Sequence, residues 1–320
     1  MIVKRSSTVT YFNCFVQKYQ YLIEKILYFL SLLSIHNPLS LGKNDLHRRK
    51  FPLNILSDCH VHTSFSGDSS ASPESVIEHA LDLNMAHLCL TDHMDYDYVE
   101  DGLCFEFDPK LYFQQLTALR SRYQDRIDLN IGIELGLQPY LSKRHHNLVF
   151  SYPFDFVIGS IHLVNGKDPY YPSYFEGREE KEGYMEYFEC CLQNLEAYCN
   201  FDTLGHLDYV VRYGPNQNRD YHYAQYQEIL DAILKYLVKK DIGLEVNTGG
   251  FKYGLGTTNP CPEMIRRYKE LGGKIITLGS DAHEPKYLAY EFDRAAELIR
   301  SCGFSSYFIF KNRIPTELPL

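Results

Sequence analysis

Residues Asp58-Cys59-His60-Val61-His62 follow directly on a short apolar run, Leu53 to Leu56, and the reading of that junction decides the fold. In an extended backbone, side chains two apart point to the same side. His60 and His62 can therefore face a pocket while Cys59 and Val61 face packed helices. Two imidazoles so placed suit one cation. An H-x-H alone is a weak signal, because a single buried histidine is more often a hydrogen-bonded packing residue. Five further groups of the same chemistry, however, close stretches that read as buried strands: Thr91-Asp92-His93, Gly132-Ile133-Glu134, Gly159-Ser160-Ile161-His162, Gly205-His206-Leu207-Asp208 and Ser280-Asp281-Ala282-His283. Asp281 and His283 repeat the spacing of two across Ala282. Together the groups weaken the packing reading, since buried charges with no cation to pair them would be costly. Imidazole mixed with carboxylate fits zinc, iron or manganese better than magnesium or calcium.

Outward from these groups the chain alternates. Apolar or β-branched runs recur at 53–59, 86–91, 129–135, 154–161, 202–206, 242–247 and 275–280, with a further candidate at 306–310. Helical patterns occupy about 109–125, 179–199, 222–240, 260–272 and 287–302. Another helix opens at Ser72-Pro73-Glu74, with Ser72 as N-cap and Pro73 in the first helical position. Strands alternating with helices predict parallel strands and crossover helices, an α/β fold. Seven such units suit a closed or nearly closed (β/α)7 barrel of TIM type, with active residues at the carboxyl ends of the strands. An open doubly wound sheet is the rival, but it would gather its site at one crevice rather than at nearly every strand end.

Residues 1–50 differ from the barrel expected over 51–320. Tyr11 to Leu33 reads as an apolar, aromatic helix, and Asn37 to Lys50 as a polar, basic linker. This extension is read as dispensable rather than as a docked helix or a weak membrane-surface helix. Its apolar run, 26–35, is too short to span a bilayer, and His36-Asn37-Pro38 breaks it with no small-residue cleavage site following. No stable membrane insertion is expected, and the protein reads as cytoplasmic. The nine cysteines form no C-x-x-C pair, which fits a reducing compartment. A net charge of -9 argues against nucleic acid as partner, although 27 tyrosines and 19 phenylalanines supply stacking surfaces. The charge says little about small anions, because bound cations dominate a local field. The other histidines read as bystanders: His36 and His47 in the extension, His79 on a helix, His87 at the wrong end of a strand, His145 and His146 on a surface segment, and His222 in a loop.

The order D-x-H-x-H, T-D-H, G-x-E, G-S-x-H, G-H-x-D, S-D-A-H resembles that of the polymerase-and-histidinol-phosphatase (PHP) superfamily over residues 53 to 310. Within it the chain is similar to the monofunctional histidinol-phosphatases, on Thr91 to Tyr96, Gly159 to His162 and Glu245-Val246-Asn247-Thr248. The resemblance implies a distorted TIM-like barrel of the PHP type holding three divalent ions, zinc, manganese or iron. His60, His62, Glu134 and Asp281 would hold the first. Glu134 would bridge to a second, held also by His162 and His206, and Asp68, His93 and His283 would take the third. Asp68 departs from the pattern, since many relatives carry histidine six residues beyond the second His of H-x-H. Without the resemblance, Ser66-Gly67-Asp68-Ser69 reads as an ordinary turn.

Such a site is cationic inside an acidic protein and favours a dianionic phosphate monoester. Water whose pKa a divalent ion has lowered would supply hydroxide to attack phosphorus, without a cysteine nucleophile or an aspartyl-phosphate. The expected reaction is hydrolysis of L-histidinol phosphate, in histidine biosynthesis. The alternatives are a PHP phosphoesterase acting on nucleotides or another small phosphate ester, and a metal-stabilised binding module without activity. Around the ligands, Asp208 is a candidate to orient a ligand or protonate the leaving alkoxide, and Asp92 to fix an imidazole tautomer; either could instead cap a helix. Arg178, Arg212 and Lys252 are candidates for phosphate capture, against a reading as solvated surface charges. The loop Asp95 to Glu100 is a candidate for the substrate's ammonium and imidazole.

Overall fold

A computed structural model describes residues 55–99 and 102–320. The expected helix at 11–33, the linker at 37–50 and Glu100 lie outside the described residues. Seven strands run parallel in the order β1 (Ser57–Asp58), β2 (His87–Leu90), β4 (Asp128–Gly136), β5 (Phe156–Ser160), β6 (Thr203–Leu204), β7 (Gly243–Asn247) and β8 (Ile276–Gly279). A two-residue strand, β3 (His93–Met94), pairs with the far end of β4, setting His93 opposite Glu134. The strands are buried on both faces, which is why they read as near-continuous apolar runs.

Helices join the strands: α1 (Pro73–Asp82), α2 (Pro109–Tyr123), α3 (Ser142–Ser151), α4 (Glu180–Ala197), α5 (Gln227–Lys239) and, after the one-turn α6 (Gly249–Lys252), α7 (Pro262–Glu270). The last helix, α8 (Phe292–Ser301), follows β8. Ser72 caps α1 by accepting from Ser75 N at 3.1 Å, with Pro73 in its first turn. Helix α5 shows how the outer ring is held: Leu230, Ile233, Leu234 and Leu237 form one buried stripe at helical spacing. Burying each such side chain is worth about 1.5–3 kcal/mol. Among the described residues no helix is long and apolar enough to cross a membrane.

The barrel is closed by the segments that carry the decisive motifs. Just beyond β1 and β8, Cys59 N donates to Leu278 O at 3.0 Å, Asp281 N to His60 O at 2.9 Å and His62 N to Ala282 O at 2.9 Å. This backbone pairing aligns the Asp58–His62 and Ser280–His283 stretches side by side. At the opposite end a hairpin of β9 (Ser306–Lys311) and β10 (Ile314–Pro319) covers the barrel floor. Asn130 Nδ2 donates to Phe310 O at 3.0 Å, and Ser57 Oγ donates to Tyr307 Oη at 2.9 Å. Strand β10 had no sequence signal, because its alternation carries no buried face: Ile314 to Glu317 are all exposed. With the floor covered, the chemistry gathers at the carboxyl end.

Candidate metal centre

Glu134, fully buried near the end of β4, is the hub. Its Oε2 lies 3.1 Å from His60 Nε2, 3.4 Å from His62 Nε2 and 2.9 Å from His93 Nδ1. Its Oε1 lies 3.2 Å from His162 Nε2 and 3.0 Å from His206 Nε2. Asp281 Oδ1 is 3.4 Å from His62 Nε2, and His283 Nε2 is 2.9 Å from Asp68 Oδ2. Donor atoms of four trios, His60–His62–Asp281, His60–Glu134–His206, His93–Asp95–His162 and His62–His93–His283, lie within 4.8 Å of one another.

The protons show what this geometry needs. Ser66 Oγ gives its single proton to Asp92 Oδ1 at 2.7 Å, so His62 Nδ1, 3.1 Å away, must be the donor to Ser66. His62 Nε2 then presents a lone pair to two carboxylates. Burial, reinforced by His283 and His93, holds this imidazole well below its ordinary pKa, so a second proton does not relieve the contact. His60 Nδ1 likewise faces Glu245 Oε1 at 2.6 Å, His162 Nδ1 faces Asp95 Oδ2 at 2.6 Å, and His283 Nδ1 donates to Asp281 O at 3.0 Å. Their Nε2 atoms turn toward Glu134 and Asp68. His60 Nε2, His62 Nε2, His93 Nδ1, His206 Nδ1 and Glu134 Oε2 are buried with no hydrogen-bond partner. Ring nitrogens and carboxylate oxygens converging out of water in this way fit divalent cations. Burial alone would raise the Glu134 carboxyl, but positive charge beside it, carried by protonated His60, His93 and His162 where no cation is bound, holds it well below the usual range, ionised as a ligand must be.

The backbone is shaped around this cluster. A Cβ on Gly279 would lie 2.3 Å from His60 Cβ and 2.6 Å from Glu245 Oε1, and one on Gly136 would lie 2.4 Å from Asp95 Cγ. Asp281 holds φ at +57°, a strained setting for a non-glycine residue of the kind found where side-chain aim matters. Above the cluster opens a cleft lined by His93, His162, His206, Arg212 and a wall of tyrosines.

A family model described as "PHP domain" matches residues 58–249, a span that holds seven of the nine expected ligands. The chain belongs to the PHP family. A histidinol-phosphatase of Lactococcus lactis is 34% identical over 254 residues, covering 79% of this chain and 93% of the relative. A probable histidinol-phosphatase of Clostridium acetobutylicum is 32% identical over 257 residues, covering 80% and 98%. The crystal structure of a Lactococcus lactis histidinol phosphate phosphatase in complex with zinc, L-histidinol and phosphate superposes with a TM-score of 0.75 at 31% identity. It covers 81% of this chain and 98% of the other.

Several expectations for this PHP site need correction. Asp92 touches no imidazole; it accepts from Thr63 N at 2.6 Å and from Ser66 N and Oγ, and reaches His62 only through that serine. Asp208 does not line the cleft. It accepts from Asn259 Nδ2 at 2.6 Å and Cys261 N at 3.0 Å, bracing the turn whose Asn259 holds Arg212 Nε at 2.8 Å. The chain enters a 3-10 turn, Tyr209–Arg212, directly after Asp208, so the same-face argument from His206 fails. Arg178 is paired with Glu186 and stacked on Tyr174, away from the cleft. Lys252 packs over the Tyr287 ring at 4.5 Å and is not among the residues lining the cleft. Arg212, by contrast, lines the cleft and donates to Asp281 Oδ2 at 2.9 Å. In the expected head-group loop, Asp95 is engaged with His162, and Asp97 with Arg144 at 3.1 Å. His145 is buried in α3 against Tyr96 and Tyr198 rather than at the surface, because α3 had not been anticipated.

Two spacings associated with other phosphatases also occur, Cys261 followed after five residues by Arg267, and Asp95-Tyr96-Asp97. Arg267 sits in α7 paired with Asp231 and Glu270, while burial pushes the Cys261 thiol well above its ordinary value. Neither spacing supplies a nucleophile. The sequence reading gave another part to Glu245, quoted only for the resemblance, and to Asp95, expected at the substrate's head group; they are the acceptors behind His60 and His162. Glu245 had a signal, a glutamate inside the apolar run 242–247; Asp95 had none beyond following His93 by two.

Two expectations follow from these contacts. Ser66→Ala should cost about 10–100-fold in metal affinity and in kcat/KM, read by metal titration of activity, because His62 loses the acceptor that fixes its tautomer. Arg178→Ala should leave kcat/KM for a phosphate monoester within about twofold of the parent, as expected for a surface ion pair away from the chemistry.

Proposed function

We propose that this chain is a divalent-metal phosphomonoesterase that hydrolyses L-histidinol phosphate to L-histidinol and phosphate, a step of histidine biosynthesis in the cytoplasm. The observation that carries it is the Glu134 carboxylate ringed by five imidazoles, three of them with a lone pair turned on it by a named acceptor behind the ring. The relatives named as histidinol-phosphatases, and the neighbour holding zinc, L-histidinol and phosphate, give that centre its substrate. Three ions of zinc, manganese or iron are assigned to His60, His62, Glu134 and Asp281; to Glu134, His162 and His206; and to Asp68, His93 and His283. Asp68 takes the place that many relatives give to histidine, a carboxylate oxygen being an acceptable ligand for each of these metals.

Divalent ions bound there lower the pKa of water toward neutrality and offset the charge of a phosphate dianion. The chain's own residues do the rest. Glu245, Asp95 and Ser66 hold three imidazoles in the tautomer that leaves Nε2 unprotonated. Arg212 spends three of its five N–H donors on Asn259, Asp281 and Asn247, which fixes the guanidinium plane and leaves two donors for a phosphate oxygen in the cleft. The tyrosine wall narrows the cleft and limits bulk water around the reacting group. All these residues belong to the barrel assigned to 51–320, with 1–50 as a separate extension.

The test is release of inorganic phosphate by the purified full chain with manganese, from histidinol phosphate and from a panel of nucleotide and sugar phosphates. Histidinol phosphate is expected to lead in kcat/KM by at least about tenfold. A nucleotide or sugar phosphate leading by that margin would show the substrate to be another small ester of the same PHP chemistry.

A further inference from the structure

Four carboxylates line the cleft: Asp68, Asp95, Asp168 and Asp281. Three are committed to a neighbouring imidazole or guanidinium, Asp68 to His283, Asp95 to His162, and Asp281 to His62 and Arg212. Asp168 is the exception. It comes from the loop after β5, is buried, and makes no ion pair with any described lysine, arginine or histidine. Its partners are all neutral: Tyr98 Oη donates to Oδ2 at 2.8 Å, while Tyr170 N at 2.8 Å and Tyr209 Oη at 3.3 Å donate to Oδ1. An ionised carboxylate offers about four acceptor positions, so one on Oδ2 is still to be filled. Beyond the field of nearby His162 no cation offsets this buried anion, which is costly, and a burial-perturbed acid facing a cleft is a candidate for binding.

We infer that Asp168 is a specificity-determining residue that receives the ammonium group of the substrate, inside a box formed by Tyr98, Tyr170 and Tyr209. The inference deepens the histidinol phosphate reading and rests on it. Position supports it. The Tyr209 ring lies 5.5 Å from the His162 ring and 5.2 Å from the His206 ring, and its hydroxyl reaches Asp168. One aromatic ring thus separates Asp168 from the imidazoles of the metal centre. In histidinol phosphate the ammonium is on the carbon adjacent to the ester-bearing carbon, so phosphorus at the centre and nitrogen at Asp168 are compatible with a single bound molecule. The Tyr98 and Tyr209 hydroxyl oxygens, which donate to the carboxylate, keep lone pairs that can accept from the same ammonium. Burial raises the Asp168 carboxyl to about 6, against the donors Tyr170 N and Tyr98 Oη, which leaves it mostly anionic at neutral pH. Asp95 and Asp97, the described acids of the Asp95–Glu100 stretch expected for this task, are engaged with His162 and Arg144, so the charge comes from a different loop.

The experiment compares histidinol phosphate with its des-amino analogue, 3-(imidazol-4-yl)propyl phosphate, on the wild type and on Asp168→Asn, with metal content and thermal melting as controls. In the wild type, loss of the ammonium is expected to raise KM on the order of tenfold with kcat within about threefold, as for one charge-assisted hydrogen bond lost. Asp168→Asn is expected to raise KM for histidinol phosphate by a similar factor and to change kcat/KM for the analogue by less than about twofold. Equal losses on both esters would make Asp168 a structural residue and overturn the inference. So would a wild type indifferent to the ammonium, a result that needs no variant to fold. A wild type that hydrolyses neither ester refutes the substrate reading itself, and the inference with it.

Discussion

Glu134→Gln is expected to lower kcat/KM for histidinol phosphate by at least about 10³-fold while the far-UV circular dichroism spectrum is retained. Such a loss corresponds to about 4 kcal/mol of transition-state stabilisation. The size follows from the geometry. One carboxylate lies within 3.4 Å of imidazole nitrogens from five different histidines, His60, His62, His93, His162 and His206, so removing its charge weakens every ion that it shares. Glutamine keeps the volume and the acceptor of the Ser160 hydroxyl, which donates to Glu134 Oε1 at 2.6 Å, so the barrel need not repack. Steady-state kinetics at saturating manganese separate the outcomes. Activity within tenfold of the parent would mean that Glu134 only buttresses the histidines.

Chelation is expected to abolish turnover and also to lower the melting temperature, on the order of 10 °C, with both restored by manganese or zinc. An ion bound to the native state alone, present at a hundred times its dissociation constant, contributes about 2.7 kcal/mol. For a chain of this size each kcal/mol moves the midpoint about 2–4 °C, and the proposal places more than one ion. The sign is fixed by what chelation leaves behind: His60 Nε2, His62 Nε2, His93 Nδ1 and Glu134 Oε2 crowded together out of water with no hydrogen-bond partner. Differential scanning calorimetry with and without chelator checks it. An unchanged midpoint together with unchanged activity would show that these side chains hold each other through protons instead.

The barrel and its hub were legible in the sequence for one physical reason. In a parallel barrel every strand delivers its carboxyl end to the same rim, so chemistry-bearing residues that close successive apolar runs must converge. His60, His93, Glu134, His162, His206 and Asp281 all obey this, and Glu134, inside a nine-residue strand, obeys it because β4 is the longest strand of the barrel. What was not legible depended on what the chain does after the strand. Asp208 follows His206 by two, yet the backbone has already turned and the carboxylate goes to Asn259. Arg178 lies beyond a 3-10 turn at Pro172–Tyr174 and meets Glu186 on α4, a contact no local spacing encodes. Asp168 carries no signal in the sequence, and only the folded cleft sets it apart from its paired neighbours. Glu245 was within reach of sequence reasoning, since a charge in the middle of a buried strand requires a partner.

The most direct measurement is elemental analysis of the purified full chain, made on the same sample as its rate of phosphate release from histidinol phosphate. About three zinc, manganese or iron ions per chain are expected, with the rate falling as ions are withdrawn and returning as they are replaced. Full activity from a chain carrying less than one such ion would contradict the assignment of His60, His62, Asp68, His93, Glu134, His162, His206, Asp281 and His283 as a catalytic metal centre.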